Sequence, residues 1–250
     1  MHKYSTLFLS IIILFLVRCP KPEDVDEYQD SLPAIPIEWN SERSIVCYGT
    51  TLTWGATPSL GGHTGSDTIV QIPMDSTYPN LLGQELVIDV HNSGFVGWSS
   101  EITVGFVDQM IENMNPALVL VEFGLYEFLA DHSAEEAGAN IDTLLEELGS
   151  YDVALVLLSF TNPTLIENTS AGHPFAQKLE LAYEYYQMLS NLALKHNVAF
   201  VDNLLSAVWD NSAMLMSDQI LPNNSGNIQM KENVFHALHK TYEANGMLKE

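Results

Sequence analysis

Residues 117–123 read ALVLVEF and residues 153–160 read VALVLLSF. Both runs are apolar at odd and even positions alike, so a strand built from either must hide both of its faces. Such strands belong in a parallel sheet covered by helices on each side. Three further strand-like runs exist: SIVCY at 44–48, LVIDV at 86–90 and VAFVD at 198–202. Amphipathic stretches lie between them. Ser99 or Ser100 can cap a helix to about residue 113, with Ile102, Phe106, Val107, Met110 and Met114 at helical spacing. Ser133 and Glu136 make a capping-box pattern ahead of Ile141, Leu144, Leu145 and Leu148. Pro174 opens a long helix to residue 196, and residues 227–242 read as a closing helix. This alternation predicts an α/β domain with a five-stranded parallel sheet and helices on both faces. Ligands of such folds collect beyond the carboxyl ends of the strands, so the chemistry belongs just after each apolar run.

Charge narrows the choice of partner. Nine Lys and Arg face 32 Asp and Glu, a formal net charge of −23. Nucleic acid is excluded, because phosphate binding needs a basic surface. Electrostatic docking on anionic lipid is disfavoured for the same reason. The two cysteines, Cys19 and Cys47, make no disulfide framework. Cys47 lies inside an apolar strand run and reads as a small core residue. His236 and His239 fall three apart on the closing helix, but spacing offers no third ligand, so neither a metal nor another cofactor is expected.

The first residues read as a targeting segment. His2 and Lys3 precede LFLSIIILFLV at 7–17, too short for a membrane span of about 20 residues and suited to a signal peptide. The segment ends in LVRC, which resembles a bacterial lipobox with Cys19 as the lipidated residue. Arg18 stands where a small residue is usual, which leaves an uncleaved anchor or plain secretion as alternatives. Residues 1–19 are therefore expected to be a lipoprotein signal, 20–42 an acidic, proline-containing tether, and 43–250 the folded domain. The expected location is the bacterial cell envelope, with the membrane as partner through a lipid.

Four segments sit at the expected strand ends. They are GTTLT at 49–53, NSGFVGWSS at 92–100, GLYEFL at 124–129 and SDQILPN at 217–223. In this order they resemble the SGNH, or GDSL-type, hydrolases, in particular the bacterial arylesterase and lysophospholipase branch, over roughly residues 43–245. The resemblance implies a three-layer α/β/α sandwich of flavodoxin-like type. It also implies four catalytic blocks. The first is Gly-Asp-Ser-Leu with a serine nucleophile; here Thr51 holds that position, after Gly49 and Thr50. The second gives a glycine N–H to the oxyanion hole, and Gly97 matches it. The third is Gly-x-Asn-Asp, where Tyr126 replaces the asparagine donor and Glu127 the aspartate. The last is Asp-x-x-His, where Asp218 remains and Leu221 replaces the histidine base.

The chemistry of these replacements points to a pseudoenzyme. A hydroxyl becomes a useful nucleophile only with a base in reach, and Leu221 cannot accept a proton. Thr51 adds a methyl group at the point of attack, and Tyr126 is far larger than the asparagine it replaces. The expected role is binding, with an acyl or glycan ligand in the residual cleft, or envelope structure. The competing expectation is an esterase that pairs Thr51 with a relocated histidine, His63 or His173 being best placed and His132 next. Trp54, Trp98 and Tyr126 are candidates for an aromatic platform, against plain packing. Glu127 and Asp218 are candidates for a carboxylate pair, against capping of backbone N–H groups. The hydroxyls of Thr50 and Thr51 are expected to bond the turn backbone.

Overall fold

The computed structural model describes residues 42–58, 69–86 and 88–244. The signal segment, Cys19, most of the tether and His63 lie outside the described residues. The sheet holds β1 (Ser44–Gly49), β4 (Val90–Gly94), β5 (Pro116–Glu122), β6 (Ala154–Leu158) and β7 (Ala199–Val201) in the order β4-β1-β5-β6-β7, all parallel. A two-stranded antiparallel ribbon, β2 (Ala56–Pro58) with β3 (Ile69–Gln71), stands apart from it. Nine α-helices occur among the described residues: α1 (Thr51–Trp54), α2 (Tyr78–Glu85), α3 (Ser100–Val104), α4 (Val107–Met114), α5 (Leu125–Leu129), α6 (Ala134–Leu148), α7 (Pro163–Asn168), α8 (Leu179–His196) and α9 (Asn224–Ala244). None is long and apolar enough to cross a membrane.

The layering follows from handedness. From β1 the chain steps to β4 on one side, then returns past β1 to β5 and continues outward. Right-handed crossovers place connections that travel in opposite directions on opposite faces. Accordingly α2 packs with α9, while α6 packs against both α3 and α8. The strand order reverses between β1 and β5, and the connections leaving their paired carboxyl ends run to opposite faces there.

Central strands β1 and β5 are buried along their whole length, as their unbroken apolar runs require. Cys47 sits fully buried in β1 beside Tyr78, and burial pushes its thiol well above the ordinary range. On α6, Ser133 accepts a hydrogen bond from the Glu136 N–H, and Ile141, Leu144, Leu145 and Leu148 face the core. The fold class is therefore the expected α/β sandwich.

Several boundaries differ from the sequence expectation. The second strand is Val90–Gly94, not 86–90. Leu86 ends α2 and Ile88 packs on the core ahead of the strand, so these two apolar residues belong to the approach. The edge strand itself is polar and mostly half-buried. The helix expected from Ser99 or Ser100 to residue 113 breaks at Gly105 and Phe106 into α3 and α4. The helix expected from Pro174 begins only at Leu179. Before it the chain turns inward to bury Phe175, whose ring meets Trp209 at 4.5 Å and Phe128 at 5.1 Å. The closing helix starts at Asn224, slightly earlier than expected.

Candidate active-site cleft

The chain turns sharply where β1 ends. A Cβ added to Gly49 would lie 2.3 Å from Thr53 Oγ1 and 2.8 Å from Glu122 Oε2, so only glycine fits. A Cβ on Gly94, at the end of β4, would lie 2.2 Å from the Trp54 nitrogen. Close approach at both strand ends seats α1 directly over the point where the strand order reverses.

Glu122, the last residue of β5, holds this turn together. It is buried, and its Oε2 accepts from the Thr50 N–H at 3.0 Å, the Thr53 N–H at 3.3 Å and the Thr53 hydroxyl at 2.9 Å. The Thr50 hydroxyl donates to Oε1 at 3.1 Å. Thr53 Oγ1 also lies 3.1 Å from the Tyr78 hydroxyl. Burial pushes the Glu122 carboxyl up to about 7, and the bonds from Thr50 and Thr53 hold it back from rising further. The same burial raises the Tyr78 hydroxyl. Thr50 is thus structural, as expected, but its hydroxyl bonds a remote carboxylate and not the turn backbone.

Thr51 opens α1 and is partly exposed. Its hydroxyl has no hydrogen-bond partner among the described residues. Gly97 sits exposed in the β4–α3 loop with φ of +68° and no atom within 4 Å of an added Cβ. The loop is anchored below by Asn92, whose Oδ1 accepts from the Gly94 N–H at 3.0 Å. Tyr126 is half-buried in the first turn of α5.

The two carboxylates of the later blocks have separate partners. Glu127 is buried, and its Oε1 accepts from the Ser100 N–H at 2.6 Å and the Ser100 hydroxyl at 2.7 Å. It therefore caps α3 from across the cleft, while its Oε2 is buried without a partner. Asp218 accepts from the N–H groups of Ile220 and Leu221 at 2.9 and 3.0 Å, closing its own turn. Its bonds orient no imidazole. Leu221 packs its side chain partly against the core.

Aromatic side chains at the rim are not pooled. Trp98 stacks on Phe95 at 4.8 Å and leans on Phe106 at 5.2 Å, forming a local cluster on the β4–α3 connection. No ring contact joins it to Trp54 or Tyr126 among the described residues. The expected platform is therefore packing at Trp98.

Five of the six described histidines have partners away from Thr51. His173 Nε2 lies 2.9 Å from the Trp209 carbonyl, and its Nδ1 accepts from the Phe175 N–H at 3.2 Å. These bonds fix the tautomer and occupy both nitrogens, and desolvation lowers the imidazole's proton affinity. His132 Nδ1 lies 3.9 Å from Glu136, and His236 Nε2 3.8 Å from Glu232. His236 and His239 flank the Phe235 ring. His196 bonds Asp142, which with Glu146 could ligate a metal. The Lys195 ammonium already fills that cluster, 2.6 Å and 2.7 Å from the two Asp142 oxygens and 3.5 Å from Glu146.

Sequence reasoning missed Glu122, Gly94 and the Ser100 partner of Glu127. Glu122 carried a signal, being the one charged residue in the run 117–123. The sequence marks Ser100 as a possible cap but not its bond to Glu127, and it does not show the close approach at Gly94, because both depend on chain segments that meet only in the fold.

No protein-family model matches the sequence, and no curated protein matches it. Solved structures do. The psychrotrophic esterase EstA from Pseudoalteromonas sp. superposes with a TM-score of 0.62 at 14% identity, covering 80% of this chain and 99% of its own. The aryl esterase of M. smegmatis gives 0.60 at 15% identity, covering 80% and 99%. AlinE4, an SGNH-hydrolase family esterase, gives 0.52 at 20% identity, covering 81% and 98%. At these identities the likeness is one of architecture, and it spans nearly the whole of each relative. With the strand order, the turn over β1 and the block positions described above, the chain carries the SGNH/GDSL-hydrolase fold.

Proposed function

We propose that the protein is an SGNH-fold pseudoenzyme of the bacterial cell envelope, held to the membrane by lipid on Cys19, which binds a ligand without hydrolysing esters. One observation carries this reading: among the described residues no imidazole bonds the Thr51 hydroxyl, and the position that would supply one is the aliphatic Leu221. Relocation to His173 is disfavoured because both of its nitrogens are engaged by backbone groups. Removing the base of a hydroxyl nucleophile costs on the order of 10⁶ in turnover in the best-studied triad. Bare oxyanion binding retains roughly 10³–10⁴ over water, and here one donor position holds Tyr126.

The test is hydrolysis of short-chain p-nitrophenyl esters by the full chain and by Thr51→Ala. The expected outcome is background release, identical for both. Turnover that the substitution abolishes overturns the reading in favour of an esterase using Thr51 with a histidine such as His63. The double variant Thr51→Ser with Leu221→His is expected to gain measurable release, because the turn that would present the serine is intact. Lipidation is tested by metabolic labelling with a radioactive fatty acid. Label is expected on the wild type and absent from Cys19→Ser, and an unlabelled wild type removes the anchor.

A further inference from the structure

We infer that the protein has a second binding site, outside the cleft, which takes one neutral sugar ring. A cavity of about 230 Å³ lies between the loop leading into α8 and the connection from β7 to α9. Its lining includes Gln219 of the last block, but none of Thr51, Gly97, Tyr126, Asp218 or Leu221. Its volume is below the roughly 300–1,000 Å³ of sites for drug-sized molecules, which suits a single ring.

The lining decides the ligand class. Asp210, Ser170, Ser212 and Gln219 bring a carboxylate, two hydroxyls and an amide to one space. Asp210 is exposed and has no ion-pair partner among the described residues, and the two serine hydroxyls have no protein partner among them either. The Gln219 amide donates to the Met216 carbonyl at 3.1 Å, which fixes the group and leaves its oxygen as an acceptor. A polyol satisfies this set: its hydroxyls donate to a carboxylate and an amide oxygen and accept from serines. Pro174 and Leu215 supply apolar surface for the C–H face of a ring.

The back wall is rigid. His173 stacks on Trp209 at 5.0 Å and 15°, its nitrogens both spent on backbone groups. The Trp209 N–H donates to Thr169 Oγ1 at 3.0 Å. Such a wall is pre-formed, and ordering it costs binding nothing. Other ligand classes fit worse. An anion meets Asp210 and a chain of net charge −23. A quaternary ammonium group needs open aromatic faces, and Trp209 is buried with one face covered by His173.

This site stands or falls independently of ester hydrolysis. The experiment is saturation-transfer NMR and calorimetric titration of the full chain, in a polyoxyethylene detergent free of sugar, with glucose, galactose, mannose and N-acetylglucosamine. At least one is expected to bind saturably with a dissociation constant in the millimolar range. Asp210→Ala and Gln219→Ala are each expected to weaken it about tenfold or more, Asp210→Ala without changing the melting temperature, whereas Thr51→Ala leaves it unchanged. No saturable binding by any of the four up to about 20 mM overturns the proposal. So does binding that resists Asp210→Ala, or that is lost only in Thr51→Ala, which places the sugar in the cleft. Tighter binding of glucose 6-phosphate than of glucose refutes the neutral-ligand assignment.

Discussion

Glu122 shows how one side chain can serve geometry in a place where chemistry is expected. It accepts from two backbone N–H groups and two hydroxyls, and all of them belong to the turn that carries Thr51. Its carboxyl holds a proton up to about pH 7, against an ordinary 4.5. A group that binds its proton more tightly folded than unfolded favours folding in acid. That contribution is complete below about 4.5, shrinks as pH rises, and is gone above about 7. The gap corresponds to roughly 3 kcal/mol at 1.36 kcal/mol per pH unit. Urea titrations between pH 4.5 and 8 are expected to show a falling midpoint for the wild type and a flatter profile for Glu122→Gln, which keeps an acceptor and cannot ionise. Glu122→Ala should lose about 2 kcal/mol or more in acid, because the Thr50 hydroxyl and the Thr53 N–H lose their partner, while the Thr50 N–H keeps the backbone carbonyl of residue 122 at 3.1 Å and Thr53 Oγ1 keeps the Tyr78 hydroxyl. A Gln profile as steep as the wild type's would place the pH dependence elsewhere. This residue was half legible. A lone acid in an apolar run is visible, but its partners lie 69 and 72 residues away in sequence.

Among elements, α3 and α5 are tied by the bond from Ser100 to Glu127, which replaces a cap from α3's own chain; Ser99 itself makes no side-chain cap. Removing the carboxylate in Glu127→Ala is expected to cost about 2–3 kcal/mol, with faster amide exchange concentrated in residues 100–104. Glu127→Gln, which keeps one acceptor oxygen, should lose about 1 kcal/mol. Uniform loss of protection over the whole sheet in Glu127→Ala would mean that the bond supports the core and not the helix. The elements themselves were legible in proportion to their burial. Strands β5 and β6 and helix α6 stand where their apolar periods place them. Edge strand β4 was displaced by four residues because half-buried backbone tolerates VHNSG, while the stronger run beside it ends a helix. The start of α8 was misplaced because burying Phe175 outweighs the helix-opening preference of Pro174. In the cleft, block positions could be read residue by residue. The alternatives of backbone capping for Glu127 and Asp218 and of packing for Trp98 were legible and hold, but which groups they meet was not.

At the scale of the whole molecule, the strand order turns a linear arrangement of weak motifs into one location. The ends of β1, β4 and β5 converge there, and every block but the last sits on them. Conversion from catalysis to binding, as proposed, alters side chains at that rim and leaves the sheet beneath untouched. Cys47, fully buried in the interior strand β1 of that sheet, gives this scaffold a built-in clock. With Cys19 replaced by serine it is the last thiol in the chain. Its side chain stands off the sheet beside Tyr78 of α2, so a disulfide reagent can reach the sulfur only after α2 has lifted from the sheet. Modification should therefore be independent of reagent concentration once the reagent reacts faster than the layer recloses, and its rate there should equal the rate of opening, to be compared with unfolding measured by dilution into urea. Uncovering of this face of the sheet would then be timed by a single colour change.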